Sequence, residues 1–561
     1  MIEQCCRFYP FRMTTTPPAS DPGNSYLVPP SPPVTPAARA MNALLLMLVS
    51  MAVAFLAAKK AQLGNVPGAI IGASIFGVGS FAVLKLEGVP RELWFTFILK
   101  FFSVTAYKLV AVVLVSYLIK DCHLSDSEAQ WVWAAWGMFM SIATIMAGSI
   151  TDAIGLRRTL LLGVSICLAS RGVMVFSPGS WISLICGMIP LAIGEALCTP
   201  VLVAAARKFT SADQRSVAFS VFYAILNLGF MVGLFLRDGV MEAFPSGATI
   251  LVGIDLSPQR LLLFISLGIE ILTIPFIFLL RQGAEVTPEG LRITPDAPHD
   301  EGGSTLAAFR LTMQDAIRNT KRLLGILVNH PGFYRLLAFL ALIGILKMVF
   351  SIMDGVLTTF VERELGPEGA SRVGRFNAVN SILILILAPL AGMLTRRFSA
   401  YSMVILGGFI TAFSFIFMAL PPAAFASLTA GSVGEWIGRS YLGLTGVIHP
   451  YFIMIVLWQV GFSFGEALYS PRVYEYAVSI APKGQEASYA SLSAVPLLMG
   501  KLVTGVAFSG LLTRYCPAEG PRDSSTMWSI VGSLVLISPL VLLFFQRSIR
   551  VAEEGRYPFK L

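Results

Sequence analysis

The chain has 561 residues, of which 55% are hydrophobic and only 13% charged, and its mean hydropathy is +0.74. A soluble protein of this length needs a more charged surface, so the composition excludes an aqueous globular fold and turns the apolar excess toward lipid. The net charge of +9 sits mainly in short loops between apolar runs. That distribution encodes membrane topology and excludes a nucleic-acid-binding face.

A spanning helix needs roughly 20 mostly apolar residues. Residues 1–40 include a Pro/Ser/Thr-rich stretch at 14–36 and are expected to be a disordered tail. Two short apolar runs follow at 42–58 and 67–84. Within 41–90 they are expected to form an extra transmembrane hairpin, even though it would place Lys59 and Lys60 on the outer side. A signal peptide is disfavoured because about forty polar residues precede the first run. Six spans are expected near 93–119, 130–150, 159–177, 181–205, 216–236 and 260–280, forming a first bundle over 91–281.

Residues 282–333 read as a cytoplasmic interdomain loop with the turn-rich run Thr294-Pro295-Asp296-Ala297-Pro298. In this loop Ser304 can cap an amphipathic helix over 304–327, with Leu306, Phe309, Met313 and Ile317 on one side. Such a helix lies on the membrane surface or serves as a solvated linker. Six more spans are expected near 334–361, 373–394, 400–420, 448–470, 486–512 and 526–546, forming a second bundle over 334–548 before a cytoplasmic tail at 549–561. The expected fold is therefore all-α and polytopic, with two six-helix bundles related by a pseudo-twofold axis plus the N-terminal hairpin.

Arg157, Arg158, Arg207, Lys208, Arg396, Arg397, the interdomain loop and the C-terminal tail share one side, which the positive-inside rule makes cytoplasmic along with both termini. Arg363, Arg372 and Arg375 weaken the contrast from the other side. Of the seven cysteines, Cys167, Cys186 and Cys198 lie inside apolar runs. Cys122 and Cys516 fall in loops on one outer face, so a disulfide between them is open, although no spacing requires it. His123, His299, His330 and His449 form no metal-ligand pattern. No nucleophile elbow, HExxH or phosphate-binding Gly loop is present, so neither an enzyme, a metal, a cofactor nor an ATP-driven pump is expected.

An internal repeat carries the strongest signal. Gly194-Glu195-Ala196-Leu197-Cys198-Thr199-Pro200 recurs as Gly465-Glu466-Ala467-Leu468-Tyr469-Ser470-Pro471, each in the fourth helix of its half. Such repeats are how many transporters are built. A second pair is Gly148-Ser149-Ile150-Thr151-Asp152-Ala153-Ile154-Gly155-Leu156-Arg157-Arg158 and Gly392-Met393-Leu394-Thr395-Arg396-Arg397. The first resembles the G-x-x-x-D-x-x-G-x-[R/K]-[R/K] signature of the major facilitator superfamily. In that family the segment clamps the cytoplasmic ends of neighbouring helices.

A charge at mid-bilayer costs at least ~2.5 kcal/mol, so ionisable residues there face an interior cavity and carry function. The candidates are Lys100, Lys108, Arg171, Glu195, Glu270, Lys347, Asp354, Glu466 and Lys501. Lys347 and Asp354, seven residues apart, share a helix face, and Glu195 and Glu466 are expected across the cavity from each other. Glu466 and Asp354 are the proton-carrier candidates; Arg171, Glu270 and Lys501 also fit a static structural role.

Further stretches resemble the proton-dependent oligopeptide transporters, a branch of the same superfamily. These are Phe219-Ser220-Val221-Phe222-Tyr223 with Asn227-Leu228-Gly229, the run from Phe376-Asn377 to Ala388-Pro389-Leu390, and Gly465-Glu466 through Ser470-Pro471, Glu475 and Ala481-Pro482. The resemblance covers most of 93–546 and implies the major facilitator fold and proton-coupled symport of small peptides or related zwitterions by a monomer in a plasma or bacterial inner membrane. It implies that Glu466 meets the substrate's amino end and that Tyr223, Asn227 and Ser470 line the pocket, with Lys108 and Glu195 as further lining candidates. It implies that Asp354 joins a proton relay or gate, with Lys347, Arg171 and Lys100 as candidate partners. Two departures stand out. The first helix lacks the family's E-x-x-E-R-F, reading Thr96…Leu99-Lys100-Phe101, and Thr199 replaces its helix-four Lys. Those family residues serve proton coupling and the substrate carboxylate, so Lys100, Lys108 or Arg171 is expected to substitute. The alternatives are an exporter or uniporter for a sugar, nucleoside or drug, and a non-transporting receptor.

Overall fold

Inside a hydrocarbon layer a backbone segment satisfies its own N–H and C=O groups only as a helix or a closed barrel. The long apolar runs here take the helical solution. A computed structural model describes residues 26–28, 36–59, 65–177, 180–250, 253–287, 290–293, 331–395, 398–479 and 495–549, with 314 and 318. The 304–327 amphipathic helix, Arg396–Arg397, Ala481–Pro482, the start of the span at 486–512, most of the N-terminal tail and the C-terminal tail lie outside the described residues.

Two helices, α1 (Pro36–Lys59) and α2 (Asn65–Lys85), precede the bundles. They pack through small groups: a Cβ on Gly72 would stand 2.7 Å from the Ala54 Cβ and 2.8 Å from the Ser50 carbonyl. Leu48, Met51, Phe55, Phe81 and Leu84 are exposed on this pair. The first bundle comprises α3 (Arg91–Lys120), α4 (Asp126–Ile154), α5 (Leu156–Phe176), α6 (Ser183–Lys208), α7 (Ala212–Ala243) and α8 (Pro258–Leu279). The second comprises α9 (Leu337–Ala370), α10 (Val373–Leu394), α11 (Ala400–Ala419), α12 (Pro450–Ser479), α13 (Val495–Tyr515) and α14 (Ser524–Phe544). Among the described residues, eleven helices are long and apolar enough to cross a bilayer, α2 included.

Local chemistry sets the ends. Ser125 and Glu128 form a reciprocal capping box at α4, and Ser257 caps α8 ahead of Pro258. Asp523 caps α14 by accepting from the Thr526 N–H at 3.1 Å.

The structure departs from the sequence reading in three places. The helix expected at 216–236 runs on to Ala243, carrying Arg237, Asp238 and Glu242. Tyr26–Val28 (β1), inside the expected tail, pairs antiparallel with Gly290–Ile293 (β5), which also pairs with Ala284–Thr287 (β4). The β-prone Tyr-Leu-Val triplet thus finds an edge strand. A short hairpin, Ala248–Ile250 (β2) with Ile254–Leu256 (β3), fills the α7–α8 connection. Cys122 and Cys516 form no disulfide, in keeping with a spacing that did not require one.

The repeated motif explains itself in packing. A Cβ on Gly194 would stand 2.6 Å from Cys167 Sγ and 2.9 Å from the Gly163 carbonyl. On Gly465 it would stand 2.2 Å from Thr411 Oγ1 and 2.6 Å from the Gly407 carbonyl. In each half the glycine brings the fourth helix against the third, the following glutamate is buried, and Pro200 or Pro471 removes one ladder hydrogen bond inside the continuing helix. Gly465→Val is expected to cost about 1–3 kcal/mol or more through overpacking. A melting temperature of the purified variant equal to the parent's would contradict this close approach.

Candidate functional site

The two bundles are latched at the end bearing the α3–α4 and α9–α10 connections. Lys120 pairs with Glu362, and Arg363 pairs with Asp126 while donating to the Cys516 carbonyl at 2.7 Å. From α7, the Asp238 carboxylate accepts the backbone N–H groups of Gly374 at 2.7 Å and Arg375 at 2.6 Å. A carboxylate there also meets the positive end of the α10 dipole. Arg375 returns to Glu242 at 3.1 Å, and Arg237 donates to the Ala370 carbonyl at 2.6 Å. The polar contacts between the bundles described here fall at this end or at the mid-membrane layer below it.

That layer is built by α3, α4, α9 and α13. Lys108 forms an ion pair with Asp354, and its ammonium stands 5.1 Å from the Phe230 ring. Asp354 sits in a π turn, Ile352–Val356, where an inserted residue breaks the regular hydrogen-bond ladder. Lys501 holds its ammonium over two indoles, Trp136 at 5.0 Å and Trp133 at 5.5 Å. It is placed by the contact of Gly500 with the Lys347 backbone, where a Cβ would meet the Lys347 carbonyl carbon at 2.9 Å.

One layer away lies the second-half site. Asn380 Nδ2 donates to Glu466 Oε2 at 2.7 Å and to Ser463 Oγ at 3.1 Å. Lys347 Nζ donates to Ser470 Oγ at 2.7 Å and stands over the Phe350 and Tyr469 rings at 4.5 and 5.2 Å. The charges of Lys347 and Lys108 both act on Glu466. Lys347 and Asp354 do share one helix, but they engage different partners. Asn227 is buried and donates to the Tyr223 carbonyl at 3.0 Å, and Tyr223 lies within electrostatic reach of Tyr469 in the other half.

The first half holds a separate cluster. Arg171 bridges Glu195 and Glu270, the latter at 3.0 Å, with all three side chains no more than 4% exposed. Lys100 stands 4.9 Å from the Phe222 ring and feels the charge of Glu195. Cys167, Cys198 and Glu270 offer ligand atoms within 4.8 Å of one another, but the Arg171 guanidinium already occupies the carboxylate. Glu195 thus keeps to its own half's arginine, and Arg171 does not reach Asp354's layer in any contact described here.

At the opposite end, Gly155 closes α4 with φ +83°, a conformation only glycine adopts freely, and its N–H donates to the Thr151 carbonyl at 2.9 Å. Arg157 lies over the Phe278 ring at 5.1 Å, and Arg158 is exposed. The side chains of Gly148 and Asp152 lie outside the described residues. Sequence reasoning missed the Arg237–Asp238–Glu242–Arg375 latch, whose signal was an Arg-Asp pair at the end of an apolar run.

Residues 96–437 match the family model described as Major Facilitator Superfamily. An "Uncharacterized MFS-type transporter EfpA" of Mycobacterium tuberculosis is 26% identical over 136 residues, covering 24% of this chain and 25% of that protein. A "Methyl viologen resistance protein SmvA" of Salmonella typhimurium is 28% identical over 134 residues, covering 24% of this chain and 27% of that protein. The chain thus spans about a quarter of the length of the curated relatives it matches. Among solved structures, a POT family transporter in complex with 5-aminolevulinic acid has a TM-score of 0.61 at 15% identity, covering 83% of this chain and 98% of that one. A peptide transporter POT in complex with sulfate has a TM-score of 0.60 at 16% identity, covering 82% and 95%. At these identities the likeness is one of fold.

Proposed function

Since the chain belongs to the major facilitator superfamily, we propose that it is a proton-coupled symporter of small peptides or peptide-like zwitterions that works by alternating access. The observation that carries this reading is the buried Glu466 carboxylate, held by Asn380 within the second half, with the charges of Lys347 and, from the first half, Lys108 acting on it. A carboxylate in that setting can receive a substrate ammonium and can also take up a proton when the cavity changes its access. The solved neighbours are named as peptide transporters, which supports the same substrate class.

In this reading residues 91–281 and 334–548 rock about the Lys108–Asp354 layer. The latched end faces outward, and the Arg157 end, with both termini and the 282–333 loop, faces the cytoplasm. The α1–α2 pair forms an added membrane hairpin, and a single chain in a plasma or bacterial inner membrane suffices for transport. A second reading, drug export, rests on the match to the methyl viologen resistance protein. Against a cationic cargo stands the balance of mid-membrane charge outside the Arg171 cluster, where Lys100, Lys108, Lys347 and Lys501 outnumber Asp354 and Glu466. The test is counterflow: liposomes holding the protein and unlabelled dialanine should accumulate labelled dialanine transiently. Accumulation no greater than in protein-free vesicles would remove the peptide reading.

A further inference from the structure

A zwitterionic solute has two ends, and Glu466 accounts for one. The carboxylate end needs a cation that is neither held in an ion pair or hydrogen bond nor fully buried. Lys108 is taken by Asp354, and Arg171 is taken by Glu195 and Glu270. Lys347 donates to Ser470 and lies beside Glu466 itself. Lys100 is 1% exposed, with Glu195 acting on it from its own half. Lys501 remains. Among the described residues it is only partly buried and enters no ion pair within 4 Å; its ammonium lies over the faces of Trp133 and Trp136, and the charge of Asp354, itself paired with Lys108, acts on it from farther off.

The surroundings of Lys501 carry unspent hydrogen-bonding groups. Both amide atoms of Gln130 and the Nε1 atoms of Trp133 and Trp136 are buried without a protein partner, and these residues are no more than 5% exposed. Buried polar atoms of this kind are rare unless something else satisfies them. Gln130 and Trp133 meet at one spot. A Cβ on Gly355, beside Asp354, would stand 3.7 Å from Trp133 Cε2 and 3.8 Å from Gln130 Oε1, and the Trp133 ring is also one of the two under Lys501. An ammonium, indole N–H groups and, with the Gln130 amide turned, a carboxamide N–H₂ are donor types suited to an oxyanion.

We infer that Lys501, with Gln130, Trp133 and Trp136, forms the subsite that receives the carboxylate of the solute. This rests on the peptide reading for the identity of the solute, and it places the anion-reading cation on α13, away from the first-helix and fourth-helix positions where sequence resemblance looked for it. Lys501 then contacts substrate directly, while Asp354 stays bound to Lys108 and tempers the local positive charge.

The test compares competition for labelled dialanine uptake by dialanine and by its C-terminal amide. The parent should favour the free acid by roughly 10- to 100-fold, the range of a charge-assisted hydrogen bond in a buried site. Lys501→Gln should bring the two competitors to within about threefold, and Lys501→Arg should keep the preference, showing that charge and not shape is read. A Lys501→Gln variant that transports and keeps the parent's preference would overturn the subsite and leave the peptide reading standing. If the parent moves neither compound, the peptide reading falls, and the subsite is judged by tryptophan fluorescence with sodium succinate. A saturable change lost in Lys501→Gln supports it, and no saturable change overturns it.

Discussion

Glu466→Gln should abolish the coupling of uptake to a proton gradient while leaving the protein folded. Glutamine is nearly isosteric, and its carboxamide oxygen can still accept from Asn380 Nδ2, which now donates to Glu466 at 2.7 Å. What it cannot do is bind and release a proton or place a negative charge against the substrate ammonium. Losing a charge-assisted hydrogen bond of that kind costs about 1.5–3 kcal/mol, or roughly 10- to 150-fold in apparent affinity. Uptake by the variant should therefore be weak and flat across imposed pH gradients. Gradient-dependent uptake at the parent's level would remove Glu466 from the mechanism. Asp354 would then be the remaining proton-carrier candidate.

The second large effect concerns Asp354. Replacing it with Asn leaves the Lys108 ammonium without its carboxylate partner and removes the negative charge that also acts on Lys501. Breaking a buried pair from one side typically costs 3–5 kcal/mol, because an uncompensated charge stays behind. Asp354→Asn should fall in melting temperature and lose transport. Lys108→Gln combined with Asp354→Asn should recover much of the stability but not the transport, since removing both charges ends the desolvation problem and not the need for a switchable pair. If the double variant is no more stable than the single, the two residues are not energetically coupled and the layer is not organised around them.

The reach of the sequence differs by element. The G-E-A-L-x-[S/T]-P repeat was legible because it encodes three local needs at once: a close helix approach at Gly194 and Gly465, a buried carboxylate at Glu195 and Glu466, and a proline inside the helix at Pro200 and Pro471. The spans were legible because hydropathy reports lipid contact directly. The latch was not, because Arg237, Asp238 and Glu242 look like the polar end of a span until Gly374 and Arg375 arrive from the other half. The pairing of charges was equally hidden. Lys347 and Asp354 are neighbours by helical spacing, yet their partners come from α12 and α3, and only the packed bundles decide that. The first-half departures from the transporter resemblance, Thr199 and the missing first-helix glutamates, marked where a new arrangement had to exist without saying that Arg171, Glu195 and Glu270 would close on each other.

The most direct measurement places the purified protein in liposomes carrying a pH-sensitive dye, imposes an inward proton gradient and adds dialanine, with Glu466→Gln in parallel. Internal acidification that depends on dialanine is expected in the parent and not in the variant. Folded parent protein that shows no dialanine-dependent acidification would contradict peptide–proton symport and return the substrate to an open search within the same fold.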